Sequence, residues 1–93
     1  MPYRSNWNDI NELKCLLIFK QLQLEGFPRG FQKQLCEEMS KSTNLDSTNI
    51  SAKICNIKSI AGINNSSNYS QNTKRIYEKY NHLSIEELKI EIL

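Results

Sequence analysis

Several absences narrow this chain before any motif is read. Its single histidine, His82, sits where two expected helices meet and leaves no metal-binding cluster and no Ser-His-Asp arrangement. Its three glycines, at 26, 30 and 62, are too scattered to form a phosphate-cradling loop. Three cysteines, Cys15, Cys36 and Cys55, make an odd number without C-x-x-C spacing, which argues against a zinc site. Each falls in an expected helix, so they read as reduced thiols packed like small apolar residues. No run approaches the roughly 18 to 20 apolar residues of a membrane span. The opening Met1-Pro2-Tyr3-Arg4-Ser5-Asn6 also lacks the apolar core of a secretory signal, so a cytoplasmic protein with no membrane partner is expected. No segment alternates at period two long enough for a strand. No cofactor and no enzymatic activity are expected.

What is present is helical. The 93 residues, 39% of them apolar, suit a single domain over 1–93 that buries only about two-thirds of its unfolded surface. The expected fold is all-α, a small bundle of about five helices near 9–25, 31–40, 48–61, 71–81 and 85–92. The first opens at Asn8 as N-cap, with Asp9 and Glu12 near the positive end of the helix dipole. Ile10, Leu13, Leu17 and Leu24 describe its apolar stripe with Leu16 beside it, and the run Leu16-Leu17-Ile18-Phe19 widens the buried face to more than one side. Gly26 supplies the left-handed stop. Phe27-Pro28-Arg29-Gly30 is a loop, Phe31, Leu35 and Met39 mark the second helix, and Lys41-Ser42-Thr43-Asn44 ends it. Asp46 or Ser47 caps the third helix with Leu45 as a staple, Ser70 caps the fourth around Ile76 and Tyr80, and Ser84 with Glu87 has capping-box spacing ahead of Leu88 and Ile92.

Net charge is only +2, so its distribution matters more than its size. Residues 27–62 hold five bases against three acids, whereas 1–26 hold three of each and 63–93 four of each. Between Asp46 and Glu78 there is no acid, while Lys53, Lys58, Lys74 and Arg75 fall inside the interval. In the helix Asn49–Ala61, Ile50, Ile54, Ile57 and Ala61 recur on one stripe, and Asn49, Lys53 and Asn56 follow the same steps on another face. Two helices joined by a short polar turn, the second offering amides and a lysine, outline a helix-turn-helix, a form shared by many small bundles.

The string Asn49-Ile50-Ser51-Ala52-Lys53-Ile54-Cys55-Asn56-Ile57-Lys58-Ser59-Ile60-Ala61-Gly62, then Ser67-Asn68-Tyr69-Ser70 and Arg75-Ile76-Tyr77-Glu78-Lys79-Tyr80, resembles a helical amino-terminal region of bacterial and phage proteins that carry a carboxy-terminal HNH nuclease. The likeness covers about the last half of the chain. Upstream, Trp7, Asp9 and Glu12 match the family's opening only in kind, with the spacing slipped. The resemblance implies a DNA-associated module of restriction, phage or mobile-element systems. Cleavage is not implied, because HNH chemistry needs a general-base histidine and metal ligands on a ββα element. The chain would then be that module without its nuclease, standalone or cut from a longer protein at Leu93.

Double-stranded DNA is therefore the first expected partner. Asn49, Lys53 and Asn56 are candidates for base edges, amides suiting adenine and lysine suiting guanine or phosphate. Lys58, Lys74 and Arg75 are candidates for backbone phosphates, with Asn68 donating from the Asn/Ser loop. A solvated helix face, surface charge and turn preference account for the same residues. Trp7, Tyr77 and Tyr80 read as packing residues, and Tyr69 is the aromatic best placed beside that loop. A second reading is a protein-interaction module, such as a phage-encoded inhibitor or adaptor of a nuclease or defence protein.

Overall fold

The computed structural model describes residues 7–63 and 69–93, and all regular structure among them is helical. In chain order stand α1 (Asp9–Leu24), α2 (Phe31–Ser42), α3 (Ser47–Ile60), α4 (Gln71–Tyr80) and α5 (Ile85–Ile92), an all-α bundle. Local chemistry explains where four of them begin. The side chains of Asn8, Asp46, Ser70 and Ser84 accept from the backbone N–H groups of Asn11, Thr48, Thr73 and Glu87, supplying partners that a helix start lacks. Glu87 reaches back to the Ser84 N–H and completes the capping box. That hydrogen bond holds the Glu87 carboxyl below its usual range.

Helix α2 runs two residues past its expected end. The hydroxyls of Ser42 and Thr43 donate to the Met39 carbonyl at 3.1 and 2.9 Å, so the polar string satisfies the helix terminus instead of breaking it early. The link from α1 to α2 holds a second departure. Gly26 has φ 76° as its stop position requires, but Phe27, the residue before Pro28, is also left-handed at φ 55°. Such a backbone costs a bulky residue on the order of 1–2 kcal/mol. Compensation comes from the Phe27 N–H bonded to the Leu22 carbonyl at 2.8 Å and from its ring, 6.1 Å from that of Phe19.

The core is built around α1, which packs on each of the other four helices. Leu13, Cys15, Leu16, Ile18, Phe19 and Leu22 are buried along it. Ile10 and Leu24, expected in the stripe, are 41% and 73% exposed, and Leu17 is only half-buried. The reason is position: a helix covered by four neighbours buries a broad band at mid-length, while its ends project past them. Ile50, Ile54 and Ile57 of α3, Ile76 of α4 and Leu88 of α5 close on this band. Cys15 and Cys36 pack as expected, and burial pushes both thiols up. Cys55 does not pack this way, since it lies on the exposed side of α3.

Replacing the fully buried Leu88 by Ala should cost about 2–5 kcal/mol in urea denaturation. The control, Ile90→Ala at a position 69% exposed on the same helix, should stay within about 0.5 kcal/mol.

Candidate nucleic-acid interface

Helix α3 is the second helix of an α2–turn–α3 pair. Residues 43–46 make the link, Leu45 drops into the core at 6% exposure, and the Ser40 hydroxyl donates to its carbonyl at 2.7 Å. With its isoleucines buried, α3 is gripped on both flanks. Toward α2, the Gln32 amide donates to Ser51 Oγ at 2.8 Å and accepts from Lys58 Nζ at 2.8 Å. Lys58 Nζ also lies 5.2 Å from the Phe27 ring centroid.

Toward α1 and α4, the contacts are ionic and enclosed. Glu12 is 2% exposed, and one of its oxygens takes the Thr73 hydroxyl proton and lies 3.4 Å from Lys53 Nζ, while the other accepts from the Asn72 amide. Lys53 Nζ also donates to Thr73 Oγ1 at 3.1 Å and sits 4.7 Å from the Trp7 ring. Ser70 Oγ is 2.7 Å from Thr73 Oγ1, so that hydroxyl gives one hydrogen bond and receives two, its full capacity. A buried carboxylate is tolerated only when paired and fully bonded, and this one is both.

This geometry divides the expected site residues. Lys53, with its side chain 14% exposed, belongs to the interior cluster and does not share an outward face with Asn49. Asn49 is exposed and Asn56 half-buried. Lys58 is held by Gln32. Arg75 pairs with Asp9 at 2.8 Å and donates to the side-chain amide oxygen Oδ1 of Asn72, both in the open, and its hydrogen bond draws the Asp9 carboxyl below the ordinary aspartate value. Lys74 is half-buried on α4 and has no acid partner among the described residues. Asn68 lies outside the described residues.

Three contributors, Glu12, Asn72 and Thr73, were missed as parts of this cluster in the sequence. Thr73 carries no signal of its own, but Glu12 did, because Glu12, Leu16 and Phe19 fall at steps of four and three on the buried band of α1. An acid at a core position of a helix demands an interior partner. Its role at the helix dipole hid this.

The outward ridge of α3 is what remains for a ligand. Thr48, Asn49, Ala52 and Cys55 are exposed along it, and no acid lies within the helix. On the α2 side, a hollow of about 430 Å³ is lined by Gly30, Gln32, Lys33, Ser47, Thr48 and Ser51. A second hollow of about 430 Å³ lies along α4 alone, lined by Gln71, Lys74, Arg75, Glu78 and Lys79. Lys33 thus borders the ridge from α2, and no cation stands on the ridge itself. The chain matches no protein family, no curated protein and no solved structure. Among the described residues no set of His, Cys, Asp or Glu side chains is gathered as metal ligands, and no helix is long and apolar enough to cross a membrane.

Lys53→Ala strands a buried carboxylate and should lower stability by about 3 kcal/mol in chemical denaturation. The double change Glu12→Leu with Lys53→Met should recover most of that loss, since it removes both charges and retains volume. In a carboxyl NMR titration, Asp9 should ionise below the ordinary aspartate value and move up toward it in Arg75→Ala. The sign follows: a depressed folded-state pKa gives stability above the unfolded value that is lost as pH falls through the folded one, and exposure keeps it small.

Proposed function

We propose that this chain is a non-catalytic DNA-binding module of helix-turn-helix type, of the kind used by restriction, phage or mobile-element systems and acting in the cytoplasm. The observation that carries the reading is the exposed ridge of α3, which has no acid among its residues, is held from behind by its isoleucines and is bordered on the α2 side by Lys33. The likeness of the second half of the chain to HNH-associated regions points the same way.

In this reading Thr48, Asn49 and Ala52 meet the base edges. The Asn49 amide suits adenine, the small Ala52 lets the helix sit deep in the major groove, and half-buried Asn56 reaches its margin. Lys33, beside the ridge, and Lys74, on α4, take phosphates. Lys53 supplies no contact, and Lys58 and Arg75 reach a phosphate only by leaving Gln32 and Asp9. Few neutralised phosphates mean a shallow salt dependence, about 0.9 in log affinity per log salt for each phosphate.

A fluorescence titration with labelled duplex at two salt concentrations tests this. Binding in the micromolar range should weaken with salt, and Lys33→Glu and Lys74→Glu should each weaken it and flatten the salt slope by about 1. Asn49→Ala should cost about 1–3 kcal/mol on the preferred site and relax preference there. The Glu12→Leu, Lys53→Met pair should bind as the unaltered chain does. No binding of any duplex at low salt would sink the proposal.

A further inference from the structure

We infer that the hollow between the end of α1 and the starts of α2 and α5 is a docking groove for a cationic amphipathic helix of a partner protein. Its apolar wall comes from three separate helices. Phe31 and Leu35 of α2 and Ile85 of α5 are half-buried in it, and Leu24, in the last turn of α1, stands 73% exposed beside them. A lone exposed leucine would call for no explanation, but four large apolar side chains converging on one concave surface mark a contact site. The hollow measures about 510 Å³, within the range that seats apolar anchors.

Charge selects the occupant. Glu25 and Glu86 line the groove, and no lysine or arginine does. Two cations stand nearby but outside its lining: Lys89 pairs loosely with Glu86 at 3.9 Å in an exposed setting, and Arg29 lines the adjoining hollow that shares Glu25 and Phe31. An apolar floor with a carboxylate rim complements a helix whose apolar residues recur at i, i+3, i+4 and i+7 between lysines or arginines. The same rim repels a phosphate backbone, so this face is independent of the α3 ridge.

The probe is a fluorescein-labelled helical peptide of leucine and lysine, about 14 residues long, beside a leucine and glutamate peptide of identical apolar spacing. Anisotropy at physiological salt should show micromolar binding of the lysine peptide and at least about tenfold weaker binding of its acidic counterpart. Leu24→Asp, at an exposed position, should weaken the lysine peptide about tenfold with an unchanged melting temperature and unchanged duplex binding. Glu25→Lys with Glu86→Lys should invert the preference between peptides. Equal binding of both peptides, undiminished binding by Leu24→Asp, or a dimer of the chain that Leu24→Asp dissociates would overturn the assignment.

Discussion

The Glu12 carboxylate is the constraint on which the arrangement of this bundle turns. It stands on the band of α1 that faces the core, at a place where an apolar residue would have served packing alone. Burying it calls for a cation and hydrogen-bond donors, which come from three directions: Lys53 of α3, and Thr73 and Asn72 of α4, with Ser70 behind Thr73. Apolar contacts among Leu16, Ile54 and Ile76 tolerate sliding, whereas a carboxylate with both oxygens engaged fixes one relative placement of α1, α3 and α4. Ser70 has two roles, since it caps α4 through the Thr73 N–H and completes the environment of the Thr73 hydroxyl.

With that cluster in place, the character of α3 follows. A helix packed on α1, α2 and α4 has one exposed side, and its residues there are Thr48, Asn49, Ala52 and Cys55. The polar residues on its flanks are spent on neighbours, Ser51 and Lys58 on Gln32, and Lys53 on Glu12. A face that looks basic in one dimension thus carries no cation at the ridge and meets one, Lys33, at its α2 margin. Phe27 contributes to the same end. Its strained backbone places the ring against Phe19 and beneath Lys58, so the α1–α2 link helps fix the flank of α3.

How legible this was in the sequence depended on the range of the interactions. Asn8, Asp46, Ser70 and Ser84 act on their own backbones within three residues, and such short-range chemistry can be read directly. The buried stripe of α3 was equally plain, because Ile50, Ile54 and Ile57 face one core. In α1 the stripe was misplaced at Ile10 and Leu24, since four covering helices erase the amphipathic period that locates it. Lys53 was assigned outward because a lysine among polar residues has that look on a helical wheel. Its partner lies 41 residues away, and the only clue was an acid in register with Leu16 and Phe19. Local capping and periodicity are properties of one segment, whereas an enclosed ion pair is a property of two.

Four cations of this domain act as clasps between its elements. Lys20 donates to the Asn81 carbonyl, Lys53 to Thr73, Lys58 to Gln32 and Arg75 to Asp9, so α1 is tied to the segment after α4, α3 to α4, α3 to α2 and α4 to α1. Charges used this way are poor at attracting a polyanion, and a net charge of +2 adds little steering. Shape then matters more than field, and α2 is the element that joins two shapes. Gln32, Lys33 and Cys36 line its hollow against α3, while Phe31 and Leu35 line the apolar groove toward α5. At about 100° per residue the two sets centre on different sides of α2, with Gln32 nearest the border between them, and a helix seated in the groove would leave the α3 ridge open.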